Sequence, residues 1–423
     1  MNILVVGGGS WDDTTSLGNT LSNLFAGWEN VNFYNLYFRE TMPNNTVCEN
    51  YFRVTTKELL KKFFVPSKIG MKFHFTGPQS KEIDWKGAKE KKVIALIHKY
   101  GLNAIYELED WLWYSKKWQN NALDQFLEYA NPDIVFSFAA GNSYMVLPAE
   151  YIKARTKAKL VLLVADDMHT TYRLAEDRHH QRMRRDFDRL MLLADKVYGI
   201  SQEMCSYYRQ IYNIDVELLY KGCLFENQPM RRVNNPVKLV YAGNLLFGRL
   251  ETLISLVDCL DALRTSGIHA VLDIYSGTLI SNEQRQKLNN GKCSRFWGTV
   301  SYSEVKKRMS EADVVLHVES FDANQMKRVQ YSFSTKITDC LQSGNVLLAI
   351  GPAGISSIEY PRRVPGAMVI DDLHDLYDRL HILLSDEKDL VNRAKQIREY
   401  ALDKHSVESV INKLRADFEH ILL

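Results

Sequence analysis

Two short apolar runs, Asp313 to Val318 and Val346 to Ile350, stand either side of a single helix-forming segment. Buried-strand runs joined through a helix fit parallel strands with a crossover helix, which places this part of the chain among α/β folds. A polar loop follows the first strand, Ser334 is a favourable N-cap for the helix, and Gly344 stops it. Thr335, Lys336 and Ile337 then make up a first turn whose amides have no partner inside the helix, so the turn attracts anions. Lys336 adds a full positive charge there, and Asp339, three residues on, shares its face and offers a carboxylate suited to a ribose diol. The spacing fits a nucleoside diphosphate. A capped helix between buried strands also occurs throughout doubly wound domains, and the same spacing suits a solvated Lys–Asp pair.

Composition sets wide bounds. The 423 residues, 46% hydrophobic and 25% charged, describe a soluble globular chain of two or three domains. A formal net charge of +2 gives no basis for a nucleic-acid partner. The six cysteines lack CxxC or Cys/His metal spacing, so reduced, mostly buried thiols in a cytoplasmic protein are expected. The first apolar run, Ile3 to Val6, is too short for a signal peptide, and no stretch is long enough to span a membrane.

In chain order, Asn2 to Gly9 reads as a buried strand entering a glycine-rich loop, followed by a helix through Leu17, Leu21, Leu24 and Phe25. Gly7 and Gly9 do not make a dinucleotide fingerprint, because Asp12 takes the third glycine position. That counts against a nicotinamide-dependent oxidoreductase. From Lys57 to Lys99, eleven lysines stand against four acidic residues, and Leu59, Leu60, Phe63 and Phe64 fall beside Lys57, Lys61 and Lys62. This composition suits either a solvated face or peripheral contact of residues 57–99 with an anionic membrane.

Trp111, Tyr114 and Trp118 form an aromatic stripe at helical spacing, read as core or as an acceptor platform. Asp166, Asp167 and His169 follow the strand Lys159 to Val164, at the strand end where open α/β sheets bind ligands. Asp167 and His169 are therefore candidate catalytic residues, with helix capping by Asp167 the structural alternative. A helix over Arg173 to Leu193 carries a dense arginine face, and the polar stretch Glu226 to Pro236 reads as a linker. From Val237 the strand–helix alternation starts again.

The run Ser332-Phe333-Ser334-Thr335-Lys336-Ile337, with Asp339, Leu341, Gly344 and Gly351-Pro352 after it, resembles the donor-binding segment of GT-B glycosyltransferases of the bacterial family 4, polysaccharide-biosynthesis type. The resemblance implies two doubly wound Rossmann-like domains facing a central cleft. Residues 1–225 would be the acceptor-side domain, 237–385 the nucleotide-sugar-binding domain, and 386–423 helices that cross back to the first. It implies transfer of a sugar, with retention, from a nucleotide-sugar donor to a glycan or lipid-linked acceptor in cell-surface polysaccharide or glycoconjugate synthesis, without a metal cofactor.

By the same resemblance Gly243, Arg249, Gly277, Ser334, Thr335, Lys336 and Asp339 would bind the donor, and Gly8, Gly9 and Ser10 would approach donor phosphate or acceptor. The family places a glutamate eight residues before the acidic residue at Asp339. Here that position is Tyr331, and Glu319, the nearest upstream glutamate, is taken as the catalytic-side substitute. The family's second basic residue in the first loop is replaced by Ile254. These two departures make a catalytically inactive subunit that supports a partner enzyme the alternative reading.

Overall fold

The computed structural model describes all residues except 78–102, 171–176, 224 and 226–231. The chain is organised as two units, Met1–Leu219 with Ile411–Leu423, and Tyr220–Val410.

In the first unit the described elements run β1 (Asn2–Gly7), α1 (Ser16–Phe25), β2 (Asn32–Tyr37), β3 (Asn50–Arg53), α2 (Thr56–Phe64), β4 (Met71–His74), α3 (Asn103–Tyr114), α4 (Asn121–Ala130), β5 (Ile134–Phe138), α5 (Ser143–Arg155), β6 (Lys159–Val164), α6 (Arg178–Leu193), β7 (Lys196–Gly199), α7 (Gln202–Tyr212) and β8 (Val216–Leu218). The strands form one sheet in the order β4-β3-β2-β1-β5-β6-β7-β8. All neighbours are parallel except β4, which pairs antiparallel at the edge. β1 and β5 are buried along nearly their whole length, as expected of strands covered on both faces. Chain order reverses between β1 and β5, so the crevice at their carboxyl ends is the place this topology offers a ligand.

The second unit holds β9 (Val237–Ala242), α8 (Arg249–Thr265), β10 (Ala270–Tyr275), α9 (Asn282–Leu288), β11 (Ser294–Gly298), α10 (Tyr302–Ser310), β12 (Val314–Val318), α11 (Ala323–Val329), α12 (Thr335–Ser343), β13 (Val346–Ile350), α13 (Ser356–Arg362), β14 (Met368–Ile370), α14 (Leu376–Ser385) and α15 (Glu387–His405). Its sheet is parallel, in the order β11-β10-β9-β12-β13-β14. Here the switch point lies between β9 and β12. The last helix, α16 (Val407–Leu422), begins in this unit and continues in the first, where Phe418 packs against Phe25, Trp28 and Phe136.

Several local expectations need correction. The polar loop after β12 contains α11, capped by Asp322, whose carboxylate accepts from the amides of Asn324 and Gln325. The stripe Trp111, Tyr114, Trp118 does not share one face. Helix α3 ends at Tyr114 and buries Leu112 and Trp113, Trp111 is 54% exposed beside Phe63, and Trp118, beyond the helix, is core, packed against Trp113 and Tyr151. Leu59 and Phe64 do not share a surface either: Leu59 is fully buried while Phe64 is 79% exposed. The arginine face of α6 is partly neutralised inside its own unit, Arg182 by Glu107 and Asp110, Arg189 by Glu150 and Asp186. Residues 78–99 of the lysine run, the start of the arginine helix at 173, and residues 226–231 of the linker lie outside the described residues.

All six cysteines are free, and burial pushes the thiols of Cys48 and Cys223 up to about 12, so they stay protonated and inert at neutral pH. Among the described residues no helix is long and apolar enough to cross a membrane.

Candidate functional site

The loop after β9 and the end of β12 meet at the switch point of the second unit. Phe247 (φ 58) and Gly248 (φ 73) turn left-handed immediately before α8, and a side chain at Gly248 would run into Ser320. A bulky residue in that region is strained, a condition that clusters at functional sites. The turn lets Arg249 open α8 with its side chain buried against β12. Its Nε donates to Glu319 Oε2 at 3.0 Å and to the Val318 carbonyl at 3.2 Å, Nη2 donates to Glu319 Oε1 at 2.9 Å, and Nη1 to Asn244 Oδ1 at 2.7 Å.

Glu319 is 2% exposed and Arg249 9%. Besides Arg249, the carboxylate accepts from the Ser357 hydroxyl at 3.2 Å, and His317 Nε2 stands 3.2 Å from Oε1. Burial pushes this carboxyl up, but the His317 imidazole and the Arg249 guanidinium outweigh it and hold it down at about 2. Burial also lowers His317, with the Glu319 carboxylate opposing.

Lys336, in the first turn of α12, brings a second cation to the same place. Its Nζ lies 2.7 Å from where a Cβ on Gly243 would sit, and the Tyr241 hydroxyl is 2.8 Å from that point. Gly243 is thus needed for space. Among the described residues the ammonium has no hydrogen bond or ion pair of its own. Burial and then the charge of Arg249 lower it to about 8, with Glu319 opposing. Ser334 occupies the N-cap position of α12, yet its hydroxyl makes no capping bond, so the turn opened by Thr335 lacks that side-chain cap.

The remaining donor-side candidates lie around this pair. Asp339 turns to α10, accepting from the Tyr302 hydroxyl at 3.2 Å, and burial raises its carboxyl against the opposing charges of Lys221, Lys306 and Lys336. A cavity of about 390 Å3 opens beside it, lined by Tyr302, Lys306, Gly344 and Arg398 among others. Gly277, exposed at the carboxyl end of β10, lies close to Thr299. Sequence reasoning missed Ser357 and Tyr302, whose partners Glu319 and Asp339 lie far along the chain, and Asn244 and His317, which stand close in sequence to Arg249 and Glu319 but belong to no motif.

In the first unit, Ser10 is buried, and both its amide and its hydroxyl hydrogen-bond to Thr41 Oγ1, at 2.7 and 3.0 Å. Gly9 lies against the same hydroxyl and Gly8 against the Tyr144 ring. Asp167 and His169 are buried at the carboxyl end of β6. Asp167 accepts from the Tyr208 hydroxyl at 3.0 Å and caps the local turn through the Thr170 amide, while His169 Nδ1 pairs with the Tyr207 hydroxyl at 3.1 Å. Among the described residues no three His, Cys, Asp or Glu side chains converge as metal ligands.

No family model and no curated protein matches the sequence. Solved structures do match along its length. Anabaena HepE in complex with UDP has a TM-score of 0.62 at 11% identity, covering 99% of this chain and all of that one. Sucrose-phosphate synthase from Thermosynechococcus elongatus has a TM-score of 0.60 at 11% identity, covering 100% and 99%. WaaG, a glycosyltransferase involved in lipopolysaccharide biosynthesis, has 0.53 at 13% identity, covering 98% and 99%. Two parallel-sheet Rossmann-like units matched over this span identify the architecture: the chain has the GT-B fold of these proteins.

Proposed function

We propose that this protein is a glycosyltransferase that uses a nucleoside-diphosphate sugar as donor. The observation that carries this reading is the pairing of Arg249 with Lys336 beside the bare backbone of Gly243, at the N-terminus of α12 and the switch point of the sheet. Two cations held together, with one carboxylate already engaged by Arg249, make a seat for an anion. Charge develops on the departing diphosphate during transfer, and fixed cations with helix amides stabilise it there. These groups supply the charge that a divalent cation supplies elsewhere, so the reading includes no metal.

UDP in the complex of Anabaena HepE supports this class of donor. Asp339 enters the reading as the partner of the ribose diol, with Ser334, Thr335 and Gly277 around the nucleotide. Asp167 and His169 enter as acceptor-side candidates, which their tyrosine contacts suit to holding a loop in shape. The resemblance to family 4 supports retention and a glycan or lipid-linked acceptor.

Substituting Lys336→Ala in a reconstituted transfer assay tests the donor assignment, with loss of transfer expected. Transfer at the wild-type rate overturns it. Absence of transfer by folded wild-type protein that binds the nucleotide instead favours the inactive-subunit alternative, for which Tyr331 in place of the family glutamate is the specific feature.

Peripheral membrane contact belongs to the same reading. Helix α2 exposes Leu60 and Phe64, with Val65 just beyond, alongside Lys57, Lys61 and Lys62, a face suited to anionic lipid. Salt-sensitive co-sedimentation with anionic vesicles, lost on replacing the three lysines, is expected. Binding that ignores both changes counts against it.

A further inference from the structure

The second unit buries a charge in Glu319 and engages its carboxylate from several sides. Glu319 is locked at both its main chain and its carboxylate. Its amide donates to the Ile350 carbonyl at 2.8 Å, its carbonyl accepts from the Thr252 hydroxyl at 3.0 Å, and Gly351 leaves room for its Cβ. The carboxylate meets Arg249 side-on through two nitrogens, a planar fork that fixes the orientation of the guanidinium. Stability alone is a weak reason for such a pair, since desolvation of both charges offsets much of their attraction.

Arg249 has five N–H donors. Its contacts with Glu319, Val318 and Asn244 occupy one on each nitrogen. One N–H on Nη1 and one on Nη2 are left without an acceptor among the described residues.

We propose that Glu319 is a positioning residue: its carboxylate, held also by the Ser357 hydroxyl, sets the plane of Arg249 so that these two N–H groups converge with Lys336 on the donor diphosphate. The proposal rests on the nucleoside-diphosphate reading above.

A second consequence separates positioning from a merely structural role. Lys336 is faced by Arg249 from α8, His317 on β12 and Glu319 just after it, Tyr241 from β9, and Asp339 and Cys340 on its own helix. Of these Glu319 is the main charge that favours the ammonium. Removing that charge lowers the pH at which Lys336 loses its proton.

The test measures binding of UDP and UMP, with GDP and ADP run in parallel, by isothermal titration calorimetry from pH 6.5 to 9.5, on wild-type protein and Glu319→Gln. Weakening of diphosphate binding by about tenfold is expected, with the monophosphate much less affected. The pH midpoint of diphosphate binding moves below its wild-type value. Unchanged affinity and midpoint in folded Glu319→Gln protein overturn the proposal and leave the donor reading intact. Wild-type protein that binds no nucleoside diphosphate overturns both. Should Glu319→Gln unfold, Ser357→Ala removes one of the bonds that hold the carboxylate. It is expected to weaken diphosphate binding about threefold, and wild-type affinity there overturns the proposal.

Discussion

The Lys336 ammonium stands 2.7 Å from the point where a Cβ on Gly243 would lie, so the cation uses space that only a glycine leaves open. The Tyr241 hydroxyl, anchored on the Asn244 carbonyl at 2.6 Å, closes the other side. Gly243→Ala therefore displaces the flexible lysine before the tyrosine. Nucleoside-diphosphate affinity should fall about tenfold while the melting temperature drops by only a few degrees, read by calorimetric titration and thermal unfolding.

Lys336 sets the pH dependence of donor binding. Its folded-state value of about 8 lies below the usual lysine value of 10.5, so the free protein loses the ammonium as pH rises through 8. A bound diphosphate favours the charged form, and binding then takes up a proton. Affinity should be flat below pH 8 and fall about tenfold per unit above it. Lys336→Arg, which stays charged, should flatten that limb even if it binds more weakly.

His405 gives stability a different pH dependence. It is fully buried against Tyr360 and Tyr220, and burial lowers it to about 4 from 6.5. The unfolded chain takes up this proton first as pH falls, so stability is present above 6.5 and is lost down to 4. The loss should amount to about 3 kcal/mol. Denaturant titrations between pH 7 and 4 should show it in the wild type and show it diminished in His405→Gln.

Phe418 ties the end of α16 into the aromatic core of the first unit, with ring centroids 5.7 Å from Trp28 and 6.3 Å from Phe25. Phe418→Ala should cost about 3 to 5 kcal/mol and lower the melting temperature by about 10 °C. Nucleotide affinity measured well below the transition should not change.

The architecture was largely legible because its strands are continuous apolar runs. β6, β12 and β13 fall where hydrophobic pattern and turn residues place them. Short strands at or next to the sheet edges are harder: β3, β4 and β14 have three or four residues and lack a period long enough to read. One motif and one loop point to Gly243, Arg249, Lys336 and Asp339, and the structure brings the first three together. What the sequence did not disclose is how Arg249 is engaged. Its partnership with Glu319 spans seventy residues and depends on a left-handed Phe247, which no local preference announces. By sequence alone Glu319, the nearest upstream glutamate, fits a catalytic-side acid. Its burial follows from its place at the end of a central strand.

The central claim, a nucleoside-diphosphate seat formed by Arg249 and Lys336, is tested most directly by a thermal-shift panel of UDP, GDP, ADP, CMP and NAD on wild-type and Lys336→Ala protein. A ligand at a hundred times its dissociation constant adds about 2.7 kcal/mol to stability, enough to register. The account predicts stabilisation by a nucleoside diphosphate that is lost in Lys336→Ala. Stabilisation by NAD alone, or a diphosphate shift of the same size in both proteins, would contradict it.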